Sequence, residues 1–88
     1  MKVLIDKSFE KDVSVISDKK ILHNIAKHIE LIKSAGKLSE IPKCKKLKGH
    51  TICYRIKIGD YRLGFVFENQ TIEVVRFLHR SKIYKIFP

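Results

Sequence analysis

The sequence predicts an α+β domain: an N-terminal strand, a two-helix hairpin, then an antiparallel β-meander, stacked as a two-layer sandwich. Two observations predict it. Up to Gly36 the apolar residues recur at helical spacing, and after Pro42 the period falls to two. The chain of 88 residues carries no repeat, low-complexity tract or linker, so residues 1–88 read as a single domain with one modest core.

The opening "MKVLI" is a short apolar strand. Ser8 is placed to cap a first helix whose Phe9, Val13 and Ile16 share one face, and Ser17-Asp18 offers a second cap. From there Ile21, Leu22, Ile25, Ala26, Ile29 and Ile32 form an apolar stripe with lysines on the other side, and Gly36 supplies the stop. After a loop around Pro42, "TICYRIKI", "YRLGFVF" and "TIEVVRFL" read as three strands, joined by turns at Gly59-Asp60 and Asn69-Gln70.

A two-residue turn at Gly59-Asp60 fixes the register of the first hairpin. Ile58 then faces Tyr61, Ile56 faces Leu63, Tyr54 faces Phe65 and Ile52 faces Phe67, all on the side that packs on the helices. The other side carries Cys53, Arg55 and Lys57 beside Arg62, Gly64 and Val66. Lys57 and Arg62 are directly opposite, and Arg55 faces Gly64, so nothing bulky is expected over it. Like charges in that position cost stability by under about 1 kcal/mol. Neutralising either cation is therefore expected to keep or raise stability.

Charge is segregated along the chain. The net charge of +10 arises in two segments: residues 43–62, where Lys43, Lys45, Lys46, Lys48, Arg55, Lys57 and Arg62 meet only Asp60, and residues 76–88, with Arg76, Arg80, Lys82, Lys85 and no acid. Such segregation points to a polyanionic partner, nucleic acid above all, although a basic face also suits an acidic protein. The N-terminus has only a brief apolar run and no stretch has the length of a membrane span, so neither export nor a membrane is expected. The two cysteines, Cys44 and Cys53, form no disulfide framework and fit a reducing cytoplasm. The four histidines are scattered and no carboxylates cluster, so no metal or other cofactor is expected.

The tail "RFLHRSKIYKIFP" adds His79 as a proton carrier, Arg80 as a bidentate phosphate ligand and Tyr84 as a stacking platform. In order, Leu47-Lys48-Gly49, Tyr54-Arg55-Ile56-Lys57-Ile58, Gly59-Asp60-Tyr61-Arg62-Leu63 and His79-Arg80-x-x-Ile83-Tyr84 resemble the RelE/ParE superfamily of toxins from type II toxin–antitoxin systems. The resemblance implies a RelE-like, microbial-RNase-like fold across the chain. The RelE branch is similar in having cations where Arg55, Lys57 and Arg62 stand, then an arginine and a late tyrosine where Arg80 and Tyr84 stand. Its members cut messenger RNA in the ribosomal A site, whereas the ParE branch poisons DNA gyrase. Two departures matter. Arg55 occupies a position that is often lysine, and the short segment before Tyr84 leaves both His79 and Arg80 as candidates for the acid role.

The function expected is an mRNA interferase: a metal-free endoribonuclease acting on messenger RNA on the ribosome, its toxicity held in check by a cognate acidic antitoxin. A ribose 2′-hydroxyl would attack the adjacent phosphate, leaving a 2′,3′-cyclic phosphate and a 5′-hydroxyl. Lys57, between two arginines that disfavour a third cation, is the candidate general base. Arg55 and Arg62 would stabilise the transition-state charge, Arg80 or His79 would serve the leaving oxygen, and Tyr84 would orient a base. Lys45, Lys46, Lys48, Arg76, Lys82 and Lys85 are expected to hold the RNA backbone. The alternatives are a gyrase inhibitor and a non-catalytic RNA-binding module.

Overall fold

The computed structural model describes residues Met1 to Pro88. Strand β1 (Lys2–Ile5) is followed by helices α1 (Lys7–Ser14) and α2 (Lys19–Ser34) and a single 3-10 turn at Leu38–Glu40. Strands β2 (Cys44–Lys46), β3 (Cys53–Ile58), β4 (Tyr61–Glu68) and β5 (Thr71–His79) come next, and a short helix α3 (Ile83–Ile86) ends the chain. The five strands form one sheet in the order β1-β5-β4-β3-β2. The meander is as expected, but the sheet is wider than the meander. Strand β1 joins β5 in parallel, and Cys44–Lys46 adds an edge strand where a loop was expected. Three residues, two of them lysine, carry too little strand signal to be read from sequence.

Local chemistry sets the helix ends. Asp6, not Ser8, caps α1: its carboxylate accepts the Ser8 N–H at 3.0 Å and the Ser8 hydroxyl, which also lies 2.7 Å from the Val75 carbonyl. Ser8 thus ties the cap to the sheet. Asp18 caps α2, accepting the Lys20 and Ile21 amides. Helix α2 ends at Ser34, with Ala35 already extended, two residues before the expected glycine stop. Of its stripe, Ile25 and Ile32 are buried and Ile21, Leu22 and Ile29 partly so, while Ala26 is exposed.

The main core lies between these helices and one sheet face. Ile56, Leu63, Phe65, Ile72, Val74 and Phe77 meet Phe9, Ile25 and Ile32 there. Tyr54 stacks on Phe65 and Tyr61 on Phe77, with centroids 5.4 and 5.0 Å apart. The outer sheet face is not bare. Beyond β5 the chain turns back across it, and Ile83 and Phe87 pack with Cys53 against Val66, Val75 and Leu78 as a second, smaller core.

Candidate active site

The hairpin register sets the site. Gly59 takes φ +61°, which suits the first central position of the tight turn, and β3 pairs with β4 so that Lys57 opposes Arg62 and Arg55 opposes Gly64, as expected. Alternation puts these residues on the outer face, with Lys45 of β2 directly beside Arg55. Lys46 alternates to the other side. Lys48 is exposed in the loop between β2 and β3.

The three central cations differ in how they are held. Lys57 is exposed. Arg55 is half-buried and donates from Nη1 to the Lys43 carbonyl at 3.0 Å. Lys43 takes φ +57°, and the same carbonyl accepts the Lys57 amide. Arg62 is only 8% exposed, and its Nη1 donates to the Gly59 and Tyr61 carbonyls at 2.9 and 2.8 Å. Its Nε is buried without a partner. Anchoring through Nη1 fixes the guanidinium in place, which is the arrangement that suits binding of an anion. The same anchoring corrects one expectation, because neutralising Arg62 would forfeit two hydrogen bonds as well as a repulsion.

Gly64 is covered, contrary to expectation. The Phe87 ring lies so close that a Cβ at position 64 would stand 2.7 Å from Phe87 Cδ2. The C-terminal segment therefore walls one side of the cationic patch. Within it Ile83 is fully buried, whereas Tyr84 is 56% exposed and free to stack. Lys82 and Lys85 are exposed, as is Arg80, whose amide donates to the Asp60 carbonyl and whose Nε lies 4.0 Å from the Asp60 carboxylate. Arg80 therefore stands at the turn that positions Arg62.

Two sequence candidates lie apart from the patch. His79 pairs with Tyr61 and packs edge-on against its ring, on the helix side of the sheet. Its Nδ1 accepts the Ser81 amide, and with Lys82 and Asp12 it lines a cleft of about 460 Å³ beside Val15, Ile16 and Ile21. Arg76 is bonded through Nε and Nη2 to Asp12 of α1 at 2.8 and 2.9 Å, while the Phe77 amide donates to the same carboxylate. These bonds raise the Arg76 pKa further and occupy the fork a phosphate would need. A bulge after Gly64, where Phe65 pairs with Val74, leaves Val75 over and redirects this stretch.

His50 belongs to none of the sites expected from the sequence. It lies with Leu47, Lys48, Tyr84, Phe87 and Pro88 around a groove of about 320 Å³. The one available signal was its position just after Lys48-Gly49. Both cysteines are free thiols, and burial pushes that of Cys44 above its ordinary pKa. No three histidine, cysteine or acidic side chains are grouped to hold a metal ion, and no helix is long and apolar enough to cross a membrane.

Residues 3–84 match a family described as the ParE toxin of the type II toxin-antitoxin system, parDE. Toxin RelE3 of Methanocaldococcus jannaschii is 39% identical over the full length of both chains. The toxin chain in the RelB-RelE antitoxin-toxin complex from Methanococcus jannaschii superposes with a TM-score of 0.82 at 35% identity, covering 97% of this chain and 99% of that one. The YoeB dimer from Staphylococcus aureus shares the fold, with a TM-score of 0.73 at 23% identity over 91% of this chain and 97% of that one.

Proposed function

The chain belongs to the RelE/ParE superfamily of toxins from toxin–antitoxin systems, and from that premise we propose that it is an mRNA interferase acting on the ribosome. The observation that carries this reading is the outer sheet face, where the strand register sets Arg55, Lys57 and a buried Arg62 on one side, and Phe87, three residues after the exposed Tyr84, covers the glycine opposite Arg55.

On this reading the scissile phosphate sits against Arg55 and Arg62. Lys57 removes the proton of the ribose 2′-hydroxyl, whose oxygen attacks the adjacent phosphorus in line. The P–O5′ bond breaks, leaving a 2′,3′-cyclic phosphate and a 5′-hydroxyl. Arg62, fixed through Nη1, meets the charge that develops on the phosphorane oxygens without reorganising. Arg80, beside the Gly59-Asp60 turn, is better placed than His79 on the far face to stabilise the charge on the leaving 5′-oxygen, which takes its proton from water. Tyr84 stacks on a base and fixes the ribose. The patch supplies charge without a strong acid–base pair, so a ribosome that arranges the in-line geometry fits its needs. The cognate partner is an acidic antitoxin that wraps the basic surface and folds as it binds.

A gyrase-directed toxin is the second reading, favoured by the ParE description of the matching family. Mapping mRNA 5′ ends after brief induction separates the two. New 5′-hydroxyl ends within translated messages, absent for Lys57→Gln, support the interferase. Growth arrest by the wild type with DNA damage and no new ends overturns it.

A further inference from the structure

The groove beside Tyr84 contains two side chains that the cleavage mechanism does not use. It lies between the β2–β3 loop and the C-terminal segment, and its volume of about 320 Å³ is at the lower end for small-ligand clefts. Both walls are held from behind. The loop is closed by the Leu47 amide on the Cys53 carbonyl at 2.8 Å and the His50 amide on the Leu47 carbonyl at 3.2 Å, with Gly49 at φ +82° making the reversal between Lys48 and His50. The other wall is pinned by Ile83 and Phe87, both almost wholly buried, so the exposed Tyr84 ring stands on a fixed support. The side chains of Lys48, His50 and Tyr84 make no hydrogen bond or ion pair within the protein. Phe87 connects the groove to the cationic face, since it also covers Gly64, the cross-strand neighbour of Arg55.

We infer that this groove reads the nucleobase stacked on Tyr84, with His50 and Lys48 as specificity-determining residues that donate to its edge. The inference rests on the RNA reading of the adjacent patch. Its chemistry follows from the donor inventory: an ammonium offers donors only, and imidazole offers an N–H in either protonation state. Two donors from one loop of the groove match an edge with two neighbouring acceptors. Guanine presents O6 and N7 in this way, whereas adenine places an amino donor beside N7 and leaves one protein donor opposed. Stacking on Tyr84 holds any base, and the two donors then select among them.

The test uses uncleavable RNA, so that binding is read apart from cleavage. Trinucleotides carrying 2′-O-methyl groups throughout, alike except for a central guanine or adenine, are titrated into the wild type, His50→Ala and Tyr84→Ala. The imidazole Cε1–H signal of His50 is followed by NMR, identified by its loss in His50→Ala. The expected result is a saturable shift of that signal and a guanine preference on the order of five- to tenfold, which collapses to about one in His50→Ala. Tyr84→Ala should weaken both trinucleotides. An unmoved His50 signal, equal wild-type affinities for the two bases, or an unchanged ratio in His50→Ala overturns the inference. Wild-type protein that shows the shift but produces no mRNA ends in cells overturns the interferase reading and leaves the groove standing, so the two failures are distinct.

Discussion

Phe87 occupies the space that a side chain at position 64 would need, with Cγ, Cδ2 and Cε2 of its ring all within 3.0 Å of an ideal Cβ there. Glycine at this point of β4 is therefore a packing requirement, and its backbone does not adopt positive φ. Gly64→Ala should displace the C-terminal segment and lower stability by about 1–3 kcal/mol, the usual cost of overpacking. The same substitution in a Phe87→Ala background should cost little, because the obstacle is gone. Chemical denaturation of the four proteins of this cycle measures the coupling, and a cost for Gly64→Ala unchanged by removing Phe87 would show that the contact is not the cause.

Asp12 holds three donors at once, Arg76 Nε, Arg76 Nη2 and the Phe77 amide. It closes the stretch of β5 beyond its pairing with β1, where the Ser8 hydroxyl also approaches the Val75 carbonyl. Asp12→Ala leaves a guanidinium only about a quarter exposed, and a sheet amide, without partners. A loss of about 2–4 kcal/mol is expected, the lower part of the range reflecting the exposed share of Arg76. Arg76→Lys should also destabilise, since a single ammonium cannot reproduce the fork. Urea midpoints within a few tenths of a kcal/mol of wild type would remove this cluster as a structural clasp.

The hairpin was legible because its turn, Gly59-Asp60, fixes register and the alternation of Ile56, Ile58, Leu63 and Phe65 fixes the buried face. From these followed the shared face of Arg55, Lys57 and Arg62. What escaped is tertiary. The folding of Arg62 onto its own turn carbonyls, the capture of Arg76 by a helix sixty-four residues earlier, and the return of Phe87 over Gly64 have no local signature. His79 follows the same logic. Its nearness in sequence to Arg80 suggested one site, but strand alternation places it beside Tyr61 on the other face.

Acid should act on the α1 cap. Hydrogen bonds from the Ser8 hydroxyl and amide hold the Asp6 carboxyl below the ordinary carboxylate range. A depressed folded pKa means that the carboxylate contributes stability above its unfolded pKa of about 3.9, and the contribution is lost as pH falls through the folded value. Asp6→Asn keeps a capping side chain but cannot titrate. Its melting temperature should lie below that of the wild type at pH 6, with the gap narrowing as pH falls below about 4. A gap that stays constant down to pH 2 would show that Asp6 contributes nothing to the acid sensitivity.

Lys57 and Arg62 face each other as like charges, but burial separates what each does for stability. Lys57 is exposed, so Lys57→Gln removes only repulsion, and thermal stability should hold or rise by a few tenths of a kcal/mol. Arg62→Gln also removes the bonds to Gly59 and Tyr61, and a net loss of about 1–2 kcal/mol is expected. If both serve the phosphate, each change should cut ribosome-programmed mRNA cleavage on the order of a hundredfold or more. Lys57→Gln is the sharper variant, because a folded and equally stable protein that no longer cleaves cannot owe its inactivity to unfolding. Thermal unfolding beside cleavage for both variants decides the matter. Full activity in a stable Lys57→Gln protein would eliminate Lys57 as the general base, and full activity in both would move the chemistry off this face of the sheet.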